Sequence, residues 1–325
     1  DGEMRTHLLG QWMGFDFSSS PHLKSVRGDP EQMRNRGLMY LGEYFKGIAS
    51  QNPVVVFLED IHWADDSSLD ALNWLGERLH SQQMMIVCAA RPTLFERRPY
   101  WGEGLTYHHC LGLEPLSKRE SRQLVHEILR LVDQVPAELR ELVVEGAEGN
   151  PFYVEELVKM LVEDGIIVKG EETWQIKPER LAEIEVPPTL AGVLQARLDS
   201  LSVAERTVLQ QASVVGRLFW DGVVAYIQAA EAGREDIIPE ILTDLRKREL
   251  IYRREESAFL DAREYIFKHD ILREVTYESV LKRLRKIYHG LVADWLIAHA
   301  ETRASEYSGL IAAHLQQAGR DKQAG

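Results

Sequence analysis

Pro53-Val-Val-Val-Phe-Leu-Glu59-Asp60-Ile-His62-Trp63-Ala-Asp65-Asp66-Ser67-Ser68 sets five apolar residues directly before two adjacent carboxylates. An unbroken apolar run of this length reads as a parallel strand covered on both faces, and ligands of such sheets gather at the carboxyl ends of the strands. Glu59 and Asp60 therefore fall where a phosphate-bound metal would sit. Mg²⁺ prefers oxygen ligands and is commonly held by one or two carboxylates together with substrate phosphates. One of the two acids would hold the ion while the other orients or deprotonates an attacking water, and the two roles are interchangeable on the sequence. Asp65, Asp66, Ser67 and Ser68 have the composition of a helix N-cap.

Outward from this stretch, Pro30 to about Ser50 carries apolar residues at helical spacing, and the residues before it read as irregular, with Gly, Ser and Pro scattered through Gly14 to Pro21. Leu69, Leu72, Leu75 and Leu79 recur three or four apart after the acidic strand, the stripe of a helix packed on a sheet. Met84 to Ala90 reads as a second buried strand and Leu105 to Leu113 as a weaker third. Alternating helices and strands of this kind predict an α/β domain with a parallel sheet. Arg91-Pro92 leaves the second strand at the same sheet edge as Glu59 and Asp60, and an Arg fork there has the geometry to pair with phosphate oxygens. His108-His109-Cys110 does not read as a zinc site, because neighbours on a strand face opposite ways.

An apolar strand, two acids, an apolar residue and then His-Trp-Ala-Asp resembles the Walker B segment of the signal-transduction ATPases with numerous domains. That family includes AAA-type modules attached to nucleotidyl cyclases, protein kinases or transcription activators. The resemblance implies a P-loop NTPase sheet, with Glu59 and Asp60 at Mg²⁺ and Arg91 as a γ-phosphate sensor, since the family's sensor strand often ends in Arg-Pro. A second resemblance lies in Gly149-Asn150-Pro151-Phe152. The family's helical lid carries a Gly-x-Pro element whose proline packs near the adenine, which implies that Asn150 and Pro151 belong to the nucleotide side. A helix start aimed at phosphates binds anions through its free amides.

The remainder reads as mostly helical. Ser117-x-x-Glu120 and Ser202-x-x-Glu205 are capping boxes. From Pro187 to Asp270, helices near 189–200, 203–214, 220–229 and 236–249 precede strands at Leu250–Arg254 and Tyr265–Lys268, the order of a winged helix. Its charges are mixed, with Asp236, Glu240 and Asp244 countering Arg246, Lys247 and Arg248, and the resemblance implies a regulatory lever rather than a DNA reader. Phe267-Lys-His269-Asp270 through Tyr277 resembles the family's passage into a helical array, and the tail around Leu310 to Gly319 has the spacing of a first tetratricopeptide-type helix. The expected division is 1–115 for a partial P-loop core, 116–186 for the lid, 187–270 for the winged helix and 271–325 for the start of the array.

The chain of 325 residues is 45% apolar and carries a net charge of −13, which argues against broad binding to nucleic acid or anionic membrane. Cys88 and Cys110 read as reduced core residues, which fits a cytoplasmic setting. No window has the apolar length of a membrane span. Gly-x-x-x-x-Gly-Lys-[Ser/Thr] does not occur in the chain, so the backbone cradle for the β- and γ-phosphates is missing. Either the sequence starts downstream of that loop, as its first residue Asp1 suggests, or the module is degenerate. The expected function is thus a fragment of an ATP-dependent regulator, with ATP, ADP and Mg²⁺ as ligands of the complete protein and with attached effector domains and protein partners of the helical repeats. A non-catalytic helical scaffold and a winged-helix DNA-binding regulator are the alternatives.

Overall fold

The computed structural model describes residues 2–13, 15, 17, 19–25, 28–132, 134–177, 180, 186–232, 237–300 and 304–320. The architecture is mostly helical, with short strands, and contacts divide it into two compact units, Asp1–Gly112 and Leu113–Gly325.

In the first unit, α1 (Gly2–Trp12) and α2 (Pro30–Ala49) precede β1 (Val54–Leu58), α3 (Asp66–Leu79), β2 (Met84–Cys88) and α4 (Thr93–Arg97). The expectation of an irregular N-terminus fails at α1. Its two glycines hide a helical spacing of Met4 and Leu8, and Leu8 is fully buried with Leu23 and Tyr40. Gly37 of α2 makes room for Trp12, whose ring would lie 2.2 Å from a Cβ at that position. α2 starts at Asp29, whose carboxylate accepts the Gln32 amide, with Pro30 in the first turn, where a missing N–H is harmless.

β1 and β2 pair in parallel, Val56 opposite Ile86 and Leu58 opposite Cys88. The strands are covered on one face only, contrary to the expectation from their unbroken apolar runs. Val54, Val56 and Leu58 are half-buried, whereas Val55, Phe57 and Met85 on the opposite face are 65%, 59% and 61% exposed. The third strand expected over Leu105–Leu113 is also absent. Gly102 and Gly104 take positive φ in a run of turns, Trp101 anchors that run by donating its indole N–H to the Leu69 carbonyl at 3.1 Å, and Leu111 remains 85% exposed without a strand to pair with among the described residues.

The second unit opens with α5 (Lys118–Ile128), α6 (Ala137–Ala147) and α7 (Pro151–Glu163), followed by an antiparallel hairpin, β3 (Ile167–Lys169) and β4 (Trp174–Ile176), which the sequence reading lacks. A buried cluster from Val125, Leu139, Val143, Tyr153, Leu157 and Leu161 joins the three helices. α8 (Leu190–Asp199), α9 (Val203–Val215), β5 (Leu218–Trp220), α10 (Asp221–Ala232), α11 (Ile238–Lys247), β6 (Ile251–Arg253) and β7 (Glu264–Phe267) come next, and the strands form an antiparallel sheet in the order β5, β7, β6. Both capping boxes are closed, at Ser117 with Glu120 and at Ser202 with Glu205. The expected helix from 236 starts at Ile238, and Asp236 lies outside the described residues, as do 181–185 at the end of the expected lid. α12 (Asp270–Ser279), α13 (Lys282–His299) and α14 (Ala304–Gln317) complete the unit, the last two packed as a helical pair. Among the described residues no helix is long and apolar enough to cross a membrane.

Candidate functional site

The two strand ends stay zipped after the strands stop. The Ala89 amide donates to the Leu58 carbonyl at 2.8 Å, and the Ile61 amide donates to the Ala89 carbonyl at 3.1 Å. Between them the chain reverses at Asp60, whose φ of 55° places it in the left-handed region, one that short polar side chains tolerate better than most. This reversal starts a single tight turn, Ile61–Trp63, which buries Ile61 and His62 and leaves Trp63 70% exposed. Glu59 is exposed and Asp60 half-buried, side by side at the carboxyl edge of the sheet.

Arg91, on the neighbouring strand end, is exposed, and its backbone N–H donates to His62 Nδ1 at 3.5 Å. The parallel register of β1 and β2 thus brings Glu59, Asp60 and Arg91 to one sheet edge. The next acids have a different task. Asp65 caps α3, accepting the Ser68 amide at 2.8 Å and its hydroxyl at 3.1 Å, and that backbone hydrogen bond holds its carboxyl below the usual range. Asp66 pairs with Arg98 at 3.3 Å.

Two neighbouring carboxylates at this edge are a donor set that could hold a hard cation together with phosphate oxygens. Among the described residues no group of three or more His, Cys, Asp or Glu side chains converges on one point, so the protein offers Glu59 and Asp60 and not a full cage. That is the pattern Mg²⁺ tolerates when substrate oxygens and water complete its shell.

Asn150 and Pro151 belong to the second unit and are positioned by contacts within it. Gly149 takes φ 81° and its carbonyl accepts the Leu116 amide at 2.8 Å, so the turn is tied to the segment entering α5. Asn150 Oδ1 accepts the Phe152 amide at 3.0 Å, and Pro151 occupies the first turn of α7. Phe152 then lies against His269, ring centres 3.9 Å apart. Burial pushes the His269 imidazole down to about 4, so it is neutral at pH 7.

One constellation in this unit escapes the sequence reading. Glu156 of α7 and Arg197 of α8 are each 1% exposed and form a buried ion pair. Arg197 also binds Glu163 at 2.7 Å and donates to the Arg248 carbonyl at 2.8 Å. Lys159 bridges Glu156 and Glu249, both at 3.0 Å, and Lys268 meets Glu249 at 3.0 Å. A charge-linked path thus runs from α7 through α8 to the turns that flank β6 and β7. A signal was available: Glu156 lies among the core positions Tyr153, Leu157 and Met160 of its helix, and Arg197 between Leu194 and Leu198. A charge on an apolar stripe calls for a partner.

Comparison with known proteins adds three findings. The family described as Domain of unknown function (DUF8739) matches residues 117–170, the segment from α5 to the β3 hairpin. "Uncharacterized protein R02095" of Rhizobium meliloti (strain 1021) is 24% identical over 311 residues, which are 90% of this chain and 27% of that protein. A crystal structure of a Signal Transduction ATPase with Numerous Domains protein with a tetratricopeptide repeat sensor, from Pyrococcus horikoshii, superposes with a TM-score of 0.53 at 15% identity, covering 88% of this chain and 36% of that one. The chain therefore spans about a quarter to a third of the length of these two proteins, and it shares the fold of the corresponding part of the archaeal structure.

Proposed function

We propose that the chain is the switch portion of an ATP-dependent signalling regulator, in which Glu59 and Asp60 hold Mg²⁺ on a nucleotide and Arg91 reads its terminal phosphate. The observation that carries this reading is that Glu59, Asp60 and Arg91 follow the ends of two adjacent, parallel strands. The fold likeness to a signal-transduction ATPase supports it. Bound Mg²⁺ would supply charge neutralisation on the phosphates, and one of the two acids would orient the attacking water. Asn150, Pro151 and the start of α7 form the nucleotide side of the lid in this reading.

The segment 187–270, from α8 to β7, acts as a winged-helix lever in the same reading. Support comes from Phe152 on His269 and from the ion network joining α7 to Arg248 and Glu249, which give the nucleotide side of α7 a direct hold on the lever. α13 and α14 start a helical array through which partner proteins and effector domains are engaged. The mixed charges of α11, where Lys247 pairs with Asp244 at 2.8 Å, favour a lever over a DNA reader, because duplex binding needs a surplus of cations.

The test is calorimetric binding of Mg·ATP to the chain and to its Glu59→Gln/Asp60→Asn variant. Weak binding that the variant loses is expected, with turnover far below ordinary enzyme rates of about 1 s⁻¹ or more, because the Gly-x-x-x-x-Gly-Lys-[Ser/Thr] loop is not in these residues. Equal binding by the variant, or turnover at ordinary rates, overturns the assignment.

A further inference from the structure

His62 is 8% exposed and stands next to the acid pair in the turn Ile61–Trp63. Its two ring nitrogens are in unlike situations. Nδ1 accepts the Arg91 amide at 3.5 Å, and this bond continues the ladder between the strand ends one step past the Ala89 and Ile61 pairs, with a side chain in place of backbone. A nitrogen that accepts cannot carry the proton of a neutral imidazole, so the proton is on Nε2. Nε2 is buried and has no hydrogen-bond partner among the described residues. A buried donor in that condition is destabilising, and native structures rarely keep one without a use.

We propose that His62 is a positioning residue of the nucleotide site: Nδ1 fixes the backbone of Arg91 beside Glu59 and Asp60, and Nε2–H is held ready for an oxygen that arrives with the ligand. That oxygen belongs either to the nucleotide's phosphate or to a water of the metal's shell. The second half of the inference rests on the nucleotide reading of the acid pair; the first half does not. The arrangement explains why an imidazole serves where a smaller acceptor would not. One buried side chain carries both nitrogens, one bonded to the Arg91 backbone and the other left as an unused donor. Trp63 lies beside it, ring centres 5.1 Å apart, on the open side of the turn.

Two substitutions separate the two nitrogens without emptying the site. Asn places an amide oxygen near the position of Nδ1 and lacks the Nε2 donor, whereas Gln reaches the position of Nε2 with an N–H and lacks the Nδ1 acceptor. In long-range ¹H–¹⁵N spectra of the histidine-labelled chain, His62 should show one tautomer with Nε2 protonated. Amide exchange at Arg91 should be about tenfold faster in His62→Gln, the loss of one modest hydrogen bond, and unchanged in His62→Asn. On adding Mg·ATP, but not MgCl₂ alone, the Nε2–H resonance should shift if phosphate is the acceptor; a shift with MgCl₂ alone identifies the metal's water. His62→Asn should weaken Mg·ATP binding about tenfold.

An Nδ1-protonated tautomer, or Arg91 exchange indifferent to His62→Gln, overturns the positioning role. A Nε2–H signal that stays fixed under both additions, with full affinity in His62→Asn, overturns the ligand-side role. If Glu59→Gln/Asp60→Asn abolishes binding while His62→Asn does not, the inference about Nε2 fails and the acid site stands. If Mg·ATP does not bind at all while the tautomer and exchange results hold, the nucleotide reading and the ligand-side role fail together and the hold on Arg91 stands.

Discussion

His289 of α13 and His314 of α14 meet Nδ1 to Nδ1 at 2.7 Å inside the helical pair. One must donate and the other accept. His314 also hydrogen-bonds the backbone of Val215, where only the carbonyl is an acceptor for an imidazole N–H, so its Nδ1 is the acceptor. His289 Nδ1 then carries the proton, and its Nε2 accepts from the Tyr277 hydroxyl at 3.0 Å. A single directed chain, Tyr277 to His289 to His314 to Val215, stitches α12, α13 and α14 to the end of α9.

That chain requires both rings neutral and makes stability fall in mild acid. Burial holds both histidines at about 4, and the cations Arg273 and Arg285 act in the same direction at His289, as Arg273 does at His314. The unfolded chain binds protons near the ordinary histidine value of about 6.5, so between roughly pH 6.5 and 4 it binds more protons than the folded one, and stability declines as pH drops. His269, also at about 4, adds to the same limb. Urea midpoints should decrease from pH 7 to pH 4.5 by an amount worth a few kcal/mol. A His289→Phe/His314→Leu variant should flatten most of that decline. A midpoint constant from pH 7 to pH 5 in the unaltered chain would refute the buried neutral pair.

Glu249 titrates in a separate window. Hydrogen bonds from Lys268 and then Lys159 hold its carboxyl at about 2, below the ordinary value of 4.5. A depressed acid contributes stability above its unfolded value and loses it as pH falls from about 4.5 toward 2. Glu249→Gln should therefore leave the limb between pH 6.5 and 4.5 in place and reduce the one below it. Loss of the upper limb in this variant would show that the two windows have been assigned to the wrong groups.

Arg197 is the hub whose removal should be costly. Truncation to Ala leaves the buried Glu156 carboxylate with Lys159 but without its buried partner and removes one partner of Glu163, and breaking a buried pair from one side costs about 3–5 kcal/mol. Arg197→Lys should recover only part of this, because an ammonium cannot present the fork that reaches Glu156, Glu163 and the Arg248 carbonyl together. Replacing Arg197, Glu156 and Glu163 together by apolar residues of similar volume should cost less than Arg197→Ala alone. Denaturant unfolding of the three variants decides it; a single variant milder than the triple one contradicts the reading.

Gly149 and Asn150 separate a structural from a nucleotide role. A Cβ on Gly149 would lie 2.5 Å from the Leu116 carbonyl oxygen, with φ already at 81°, so Gly149→Ala should cost more than the ~1 kcal/mol of a simple left-handed penalty. Asn150→Ala should cost about 1 kcal/mol as a lost cap, whereas Asn150→Asp keeps a capping oxygen and adds a negative charge. If Asn150 faces a nucleotide, Asp there should preserve stability while weakening Mg·ATP binding; equal affinity would leave Asn150 a cap only.

The legibility of the chain follows the range of the forces involved. α2, α3, β1 and β2 rest on local signals: a cap at Asp29, a leucine stripe, and apolar runs ending in charge. These are written within single segments. What is missed depends on distant partners. The bare face of β1 cannot be told from a covered one by composition, since Val55 and Phe57 read as core until the neighbouring layer is known. The Glu156–Arg197 pair spans two helices, so neither residue announces the other. Of the candidate site, residue types and strand order place Glu59, Asp60 and Arg91 at one edge, but the burial of His62 depends on the left-handed turn at Asp60, an unusual conformation for any residue but glycine.

The open face of the first sheet yields the final prediction. Val55, Phe57 and Met85 form adjacent apolar positions on paired strands and are each more than half exposed. Apolar surface gathered on a strand pair promotes association. Phe57→Thr introduces a β-branched residue, suited to the pleat, and removes the exposed ring of this face, so it should change unfolding free energy by no more than about 0.5 kcal/mol and raise the concentration at which light scattering first increases. Leu69→Thr, on the buried side of α3, is the contrast, because Leu69 is fully buried with Ile61, Leu94 and Trp101; its loss should cost about 2–4 kcal/mol. A cost for Phe57→Thr as large as that for Leu69→Thr would mean that Phe57 is buried in solution, and unchanged association would show that the strand face is not where copies meet.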